Sequence, residues 1–248
     1  MFLRERATQA EYCDRPNLPP EELASSYRQL ARFNRLMFVA DPFQRLLVRW
    51  LGRKKIQRLS LLDLGAGDGS VGRGIEAWAA RHGWDWRVTS LDVSVSALAL
   101  GKSGRRIAGN VCALPFRDES FDVVISSQMT HHLTDDETIS HFREAWRVAR
   151  EALFLTDAHR NLGSLCVIWL LLRCLRVTPT FLADGILSVR RGWRVSEWKD
   201  LANQAGIPEP RVWLYYGSRI VLQARRSQMA RPKHNANNSQ RIASALRS

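Results

Sequence analysis

With 248 residues, 45% of them apolar, the chain can bury one substantial core and is too short for two full α/β domains. Its 37 Lys and Arg against 24 Asp and Glu give a net charge of +13, which raises a nucleic-acid or anionic-surface reading. Cys13, Cys112, Cys166 and Cys174 show no CxxC spacing, so a disulfide framework or zinc ribbon is not expected, and reduced thiols in a cytoplasmic protein with no bound metal are.

The opening MFLRERATQAEY lacks the apolar run of a signal peptide, and residues 1–20, ending in Pro19-Pro20, read as an irregular leader. Glu21 and Glu22 open a helical pattern through Leu23, Tyr27, Leu30, Ala31, Phe33, Asn34 and Met37, with acids where the helix dipole favours them. A second helix starts at Pro42, since proline is tolerated in a first helical turn, and carries Leu46, Leu47, Trp50 and Leu51. Residues 21–56 thus form a helical unit ahead of the main domain, 57–223. There the pattern predicts strand 60–64, helix 70–82, strand 86–91, helix 94–101, strand 105–109, strand 121–127, helix 135–149 and strand 151–156. Strands separated by helices of this length imply right-handed crossovers and a parallel sheet covered on both faces. After a helix at about 195–205, RVWLYYG and SRIVLQA meet at Gly217-Ser218 as an antiparallel hairpin.

Region 161–194 is the least regular. Leu162, Leu165, Val167, Ile168, Trp169, Leu170, Leu171, Leu172 and Leu175 make it apolar, but Arg173 and Arg176 stop the run well short of the roughly 20 residues a membrane span needs. A cap over a greasy substrate, a dimer contact and shallow peripheral membrane contact are the competing readings. The tail, 224–248, carries six basic residues and no acid, so +7 remains for residues 1–223. With only Met229, Ile242 and Leu246 as large apolar residues, it is expected to stay disordered, either solvated or in contact with RNA or anionic lipid.

The chemistry concentrates at the strand ends. Leu61-Leu62-Asp63-Leu64-Gly65-Ala66-Gly67-Asp68-Gly69 closes a buried strand with a carboxylate and continues into alternating glycines. Glycine lets the chain turn sharply and brings peptide N–H groups within reach of a nucleotide over a helix N-terminus. Asp92 ends the next strand, where a carboxylate suits a ribose diol. Gly67, Gly69 and Gly72 also satisfy G-x-G-x-x-G, so an NAD(P)-dependent dehydrogenase is a remote alternative, which Asp63 and the downstream block disfavour. That block, Gly109 to Leu133, reads GNVCALPFRDESFDVVISSQMTHHL.

Together these motifs, over residues 58–157, resemble the class I S-adenosylmethionine (SAM)-dependent methyltransferases, in their small-molecule, type 11 branch. The resemblance implies a Rossmann-like α/β fold: a seven-stranded sheet, mostly parallel, with a C-terminal antiparallel hairpin and an N-terminal helical lid. It implies SAM as cofactor, with Asp63, Gly65, Ala66, Gly67 and Gly69 at the methionine end, Asp92 on the ribose, Val93 on the adenine, and Asn110, Val111 and Ser127 completing the site. The family most often has Asp-Ala where this chain has Asn110-Val111. It also implies that Tyr27, Phe33, Asn34 and Met37 of the lid face the substrate, and that an insertion at 161–194 covers it.

His131 and His132 follow strand 121–127 at the edge where open α/β folds place ligands, and one of them is the candidate general base, with loop support as the competing account. Asp157 and His159 are second-choice acceptor contacts, with helix capping by Asp157 an equal account. The expected function is methyl transfer to a small, apolar or aromatic acceptor, with oxygen favoured over carbon. An RNA or protein methyltransferase is the alternative that charge suggests, but Ser126-Ser127-Gln128-Met129 stands where base N-methylating enzymes carry Asn/Asp-Pro-Pro-Tyr/Phe. A SAM-binding module without catalysis is the alternative of another class.

Overall fold

The computed structural model describes residues 3–15, 17–51, 57–101 and 104–226. Seven strands form one sheet: β1 (Arg58–Leu64), β2 (Asp85–Asp92), β3 (Arg105–Ala108), β4 (Phe121–Ser127), β5 (Ala149–Ala158), β6 (Arg211–Tyr215) and β7 (Arg219–Arg225), in the order β3-β2-β1-β4-β5-β7-β6. The first five run parallel, and β7 enters antiparallel beside β5, paired Ala158↔Arg219 through Ala152↔Arg225. β6 and β7 are the hairpin read from the sequence, turning at residues 216–218.

The buried strands are apolar on both faces because both are covered. Leu61, Val123, Ile125 and Phe154 pack on one side with Phe43, Leu47 and Ile75, while Leu62, Leu64, Val124, Leu153 and Leu155 pack on the other with Phe142 and Trp198. Period-two alternation of the pleat puts neighbours such as Leu61 and Leu62 into opposite cores. The covering helices are α3 (Ser70–Arg81), α4 (Val95–Leu100), α5 (Asp135–Val148) and α8 (Val195–Gln204). Thr134 and Glu137 form a reciprocal capping box that starts α5 just after the histidine turn.

Ahead of the sheet lies α1 (Pro20–Leu36), then a π-helical turn at Pro42–Leu46 that runs into α2 (Leu47–Leu51), where the sequence predicted one continuous helix. Region 161–194 consists of two helices, α6 (Leu162–Cys174) and α7 (Pro179–Arg191), capped by the side chains of Asn161 and Thr178. They touch closely because Gly185 has no side chain, and a Cβ there would lie 2.4 Å from Leu172 Cδ1. Among the described residues no helix is long and apolar enough to cross a membrane.

Two boundaries differ from the sequence reading. The leader is packed on the domain: Glu11 is buried, Tyr12–Asp14 forms a 3-10 turn, and the Ala7 N–H donates to the Arg190 carbonyl. At the other end β7 continues through Arg225, and Arg226 donates to the carbonyls of Ala149 and Trp146, so the fold extends past residue 223. The remainder of the tail, and residues 52–56 of the predicted lid, lie outside the described residues.

Candidate active site

The carboxyl ends of β1, β2 and β4 open onto a cavity of about 840 Å³ that α1, α6, α7 and the leader also line. Gly65, Gly67 and Gly69 have φ of +67°, +56° and +71°, a region that side chains disfavour and glycine enters freely. The N–H groups of Gly65 and Ala66 donate to the Leu91 carbonyl at 2.8 and 3.1 Å, which holds the loop against β2. Asp92 finishes that clamp: Oδ2 accepts from the Gly67 N–H at 2.7 Å and Oδ1 from the Ser94 N–H at 2.8 Å. A Cβ on Gly67 would come within 2.6 Å of Tyr27 Cε1, so α1 lies directly against the loop.

Asp63, Gly65, Ala66, Gly67, Asp92, Val93, Asn110, Val111 and Ser127 line this cavity. Gly69 does not; it sits in left-handed conformation at the start of α3, where a Cβ would meet Ser90 Oγ at 3.0 Å. Burial, with Asp92 and Asp68 adding repulsion, pushes the carboxyl of Asp63 up to about 7, so an incoming cationic group would be needed to hold it fully ionised. Asn110 Oδ1 already accepts from the Cys112 N–H at 2.8 Å, which leaves a second lone pair for a ligand. Tyr27, Phe33, Asn34 and Met37 of α1 and the segment after it are on the wall, together with Ile168 and Leu172 of α6 and Phe181 of α7.

The histidines come from a 3-10 turn, Thr130–His132, after β4. His131 is buried with both ring nitrogens engaged: Nδ1 lies 2.6 Å from Asp157 Oδ1 and Nε2 lies 3.3 Å from Glu11 Oε1, while its backbone N–H donates to Asp157 Oδ2 at 2.8 Å. Burial disfavours its charge, but Asp157 and then Glu11 outweigh that and push the imidazole up to about 10. The same ion pairing holds both carboxylates below their usual range against the opposing effect of burial. His131 is therefore a positioned cation near neutral pH, which differs from the neutral base expected. His132 is partly exposed, with Nδ1 3.0 Å from Asp14 Oδ2.

The two second-choice residues fall elsewhere. Asp157 lies within β5 and serves His131 from behind; it neither lines the cavity nor caps a helix. His159 is also off the cavity and bonds the side chain of Asn161, the residue that caps α6. In their place stand four residues that sequence reasoning did not single out. Glu11 and Asp14 come from the leader; Arg191, at the end of α7, donates to Asp14 Oδ2 at 3.1 Å and to the His131 carbonyl at 3.2 Å. Asp184 accepts from the Tyr12 and Cys13 N–H groups at 2.6 and 3.1 Å and so fixes the turn that presents Glu11. Although no metal was expected, one donor atom from each of Glu11, His131 and His132 falls within 4.8 Å of the others.

Residues 62–154 match the family model described as a methyltransferase domain. A demethylmenaquinone methyltransferase of Roseiflexus castenholzii is 34% identical over 92 residues, 36% of this chain and 37% of that protein; its counterpart in Roseiflexus sp. is 34% identical over 95 residues. The match thus spans little more than a third of those curated relatives. Among solved structures, a SAM-dependent methyltransferase from Aquifex aeolicus superposes with a TM-score of 0.58 at 16% identity, covering 84% of this chain and 99% of that one. The plantazolicin methyltransferase BpumL, solved in complex with SAH, gives a TM-score of 0.63 at 13% identity, covering 84% of this chain and 91% of its own. At these identities the likeness is one of fold.

Proposed function

We propose that this chain is a class I SAM-dependent methyltransferase that moves a methyl group from SAM to a small apolar or aromatic acceptor, on oxygen in preference to carbon. One observation carries the reading: a single cavity joins the glycine loop and the Asp63 and Asp92 carboxylates at one end to the histidine turn and an apolar helical cap at the other. Its volume lies within the roughly 300–1,000 Å³ of small-molecule sites. SAM supplies, when bound, a methyl group on a positively charged sulfur.

The residues fit that ligand. Asp63 suits the amino-acid ammonium, because an adjacent cation would hold its raised carboxyl ionised. The left-handed glycines carry no side chain to hold a ligand off the loop backbone, and Asp92, with four lone-pair sites, can take ribose hydroxyls beside its two loop bonds. Val93 and Val111 offer apolar contact for the adenine, and Asn110 an acceptor for its amino group. On the acceptor side, Phe33, Met37, Ile168, Leu172 and Phe181 form an apolar wall that excludes water and orients the acceptor, the main source of rate for an in-line displacement. His132 takes the proton of a hydroxyl acceptor, and His131, held charged between Asp157 and Glu11, fixes the turn that presents it. Helix α1 and the pair α6 and α7 then act as lid and cap. A quinol-like ring, of the kind the Roseiflexus relatives' name implies, is a reasonable first acceptor.

The test is methyl transfer from radiolabelled SAM to phenols, naphthoquinols and polyketide-like hydroxyl compounds, with RNA and protein fractions alongside. Label in a small apolar acceptor is the expected result. Label only in RNA or protein overturns the acceptor class; SAM binding without transfer to any acceptor leaves a binding module; a melting shift with NAD and none with SAM overturns the whole reading.

A further inference from the structure

We infer that Glu11, His131 and His132 form a binding site for one divalent transition-metal ion, of the Zn²⁺, Mn²⁺ or Fe²⁺ kind, at the acceptor end of the cavity. Two imidazoles and one carboxylate are a donor set that borderline divalent ions take readily, and three protein ligands leave coordination positions open. The three donor atoms lie within 4.8 Å of one another. Nε2 of His131 and Oε1 of Glu11 are 3.3 Å apart, close to the separation of roughly 3.3–3.5 Å that two ligands show when each is about 2.0–2.2 Å from a tetrahedral ion. All three residues face the cavity that also holds the glycine loop.

The surroundings are those of a ligand set. Asp157 lies 2.6 Å from Nδ1 of His131, the arrangement in which a carboxylate fixes the tautomer and aims Nε2 at a metal. Asp14 is the corresponding carboxylate beside His132, at 3.0 Å. Ser188 Oγ donates to Glu11 Oε1 at 2.9 Å, and Arg191 approaches Glu11 Oε1 to 3.8 Å. Ligation displaces the proton that the carboxylates hold on His131; with both imidazoles then neutral, the carboxylates of Glu11, Asp14, Asp157 and Asp184 stand against the guanidiniums of Arg191 and Arg6. That leaves two negative charges in a partly buried site, which a divalent ion neutralises. The open positions would face an acceptor oxygen; in the loaded site His132 has no free lone pair, so the ion rather than this imidazole would lower the pKa of a hydroxyl, and the site selects hydroxyl- or carbonyl-bearing acceptors. This selection rests on the methyl-transfer reading; the binding of the ion does not.

Chelator-treated, untagged full-length chain is dialysed against Zn²⁺ and, in parallel, Co²⁺, and SAM affinity is measured on each preparation. One tight equivalent is expected, with visible Co²⁺ bands of an N/O-ligated ion. Glu11→Gln and His132→Ala should abolish the tight equivalent, and Asp157→Asn should weaken it roughly 10–100-fold. His82→Ala, at the C-terminal end of α3 and off the cavity, should keep it. Variants that still bind SAM are folded, so their loss of metal is specific. The proposal fails if the intact chain takes up no tight equivalent, or if the equivalent survives in both Glu11→Gln and His132→Ala. Metal uptake without SAM binding would instead sink the methyltransferase reading and leave the metal site standing.

Discussion

Replacing Asp92 by alanine removes the carboxylate that ties the glycine loop to the end of β2. Its two oxygens accept from Gly67 and Ser94 at 2.7 and 2.8 Å, and hydrogen bonds to a charged group contribute about 1.5–3 kcal/mol each. Asp92 is only half-buried, so water recovers part of this, and a loss of about 2–3 kcal/mol is expected for Asp92→Ala. At about 2–4 °C per kcal/mol for a domain of this size, the melting temperature should fall by roughly 4–12 °C. The ligand loses more than the fold does. A missing pair of ribose hydrogen bonds at about 3 kcal/mol corresponds to roughly a hundredfold weaker binding, since 1.4 kcal/mol is a factor of ten. Asp92→Asn keeps one acceptor oxygen and turns its NH2 toward the other N–H, so it should melt between wild type and Asp92→Ala while binding roughly tenfold more weakly. Isothermal titration with SAH, paired with thermal melting, separates the two effects. If folded Asp92→Ala binds SAH with wild-type affinity, the assignment of the ribose to this carboxylate is wrong.

The remaining predictions concern stability and the leader. Burial depresses the His141 imidazole to about 4, against about 6.5 unfolded, so the unfolded chain takes up the extra proton first; stability should fall as pH drops from 6.5 toward 4, by roughly 2 kcal/mol at pH 5. Urea midpoints at pH 7 and 5 check this, and His141→Leu should show a smaller drop than the wild type. Arg6 stacks on Trp193 at 3.3 Å and donates to the Leu133 and Arg191 carbonyls at 2.9 Å. Arg6→Ala should loosen the leader by about 2–3 kcal/mol, raising exchange of the Ala7 amide roughly 30- to 100-fold with little change in β4; unchanged protection would mean that other contacts hold the leader. A Cβ on Gly192 would meet the Ala158 carbonyl oxygen at 2.6 Å, so Gly192→Ala should cost about 1–3 kcal/mol, whereas Gly74→Ala, on an exposed helical position with nothing within 4 Å, should stabilise by about 0.5–1 kcal/mol. Melting curves that move in the same direction for both would contradict the packing argument.

How far the sequence reaches depends on the distance over which a feature is specified. The order of strands and helices, the C-terminal hairpin and the glycine loop are fixed by neighbours within a few residues. Apolar runs bounded by polar turns mark β1, β2 and β4. Alternating glycines mark a turn that needs positive φ at Gly65, Gly67 and Gly69. Asp63 and Asp92 are legible because each ends such a strand, and the strand itself delivers its last side chain to the sheet edge. Sequence spacing does not say which glycine the cavity reaches: Gly65 and Gly67 line it, and Gly69 starts α3.

The acceptor end follows a different rule. His131 was found because it follows a strand, but its chemistry comes from Asp157, 26 residues on, and from Glu11, 120 residues back. The sequence placed Asp157 after its strand and read Glu11 as part of an irregular leader. Arg191 and Asp184 reach the same cluster from a helix pair whose apolar character was plain and whose packing was not. Folding brought these charges together, and the ion pairs with Asp157 and Glu11, against the opposing effect of burial, moved the imidazole from a neutral base toward a held cation. The sequence by itself determined the sheet, the nucleotide-type loop and the carboxylates at strand ends, because each follows from local periodicity and backbone sterics. Only the tertiary structure decided the protonation and the partners of the histidine turn, because an electrostatic environment is the sum over segments that meet in space and leave no common pattern along the chain.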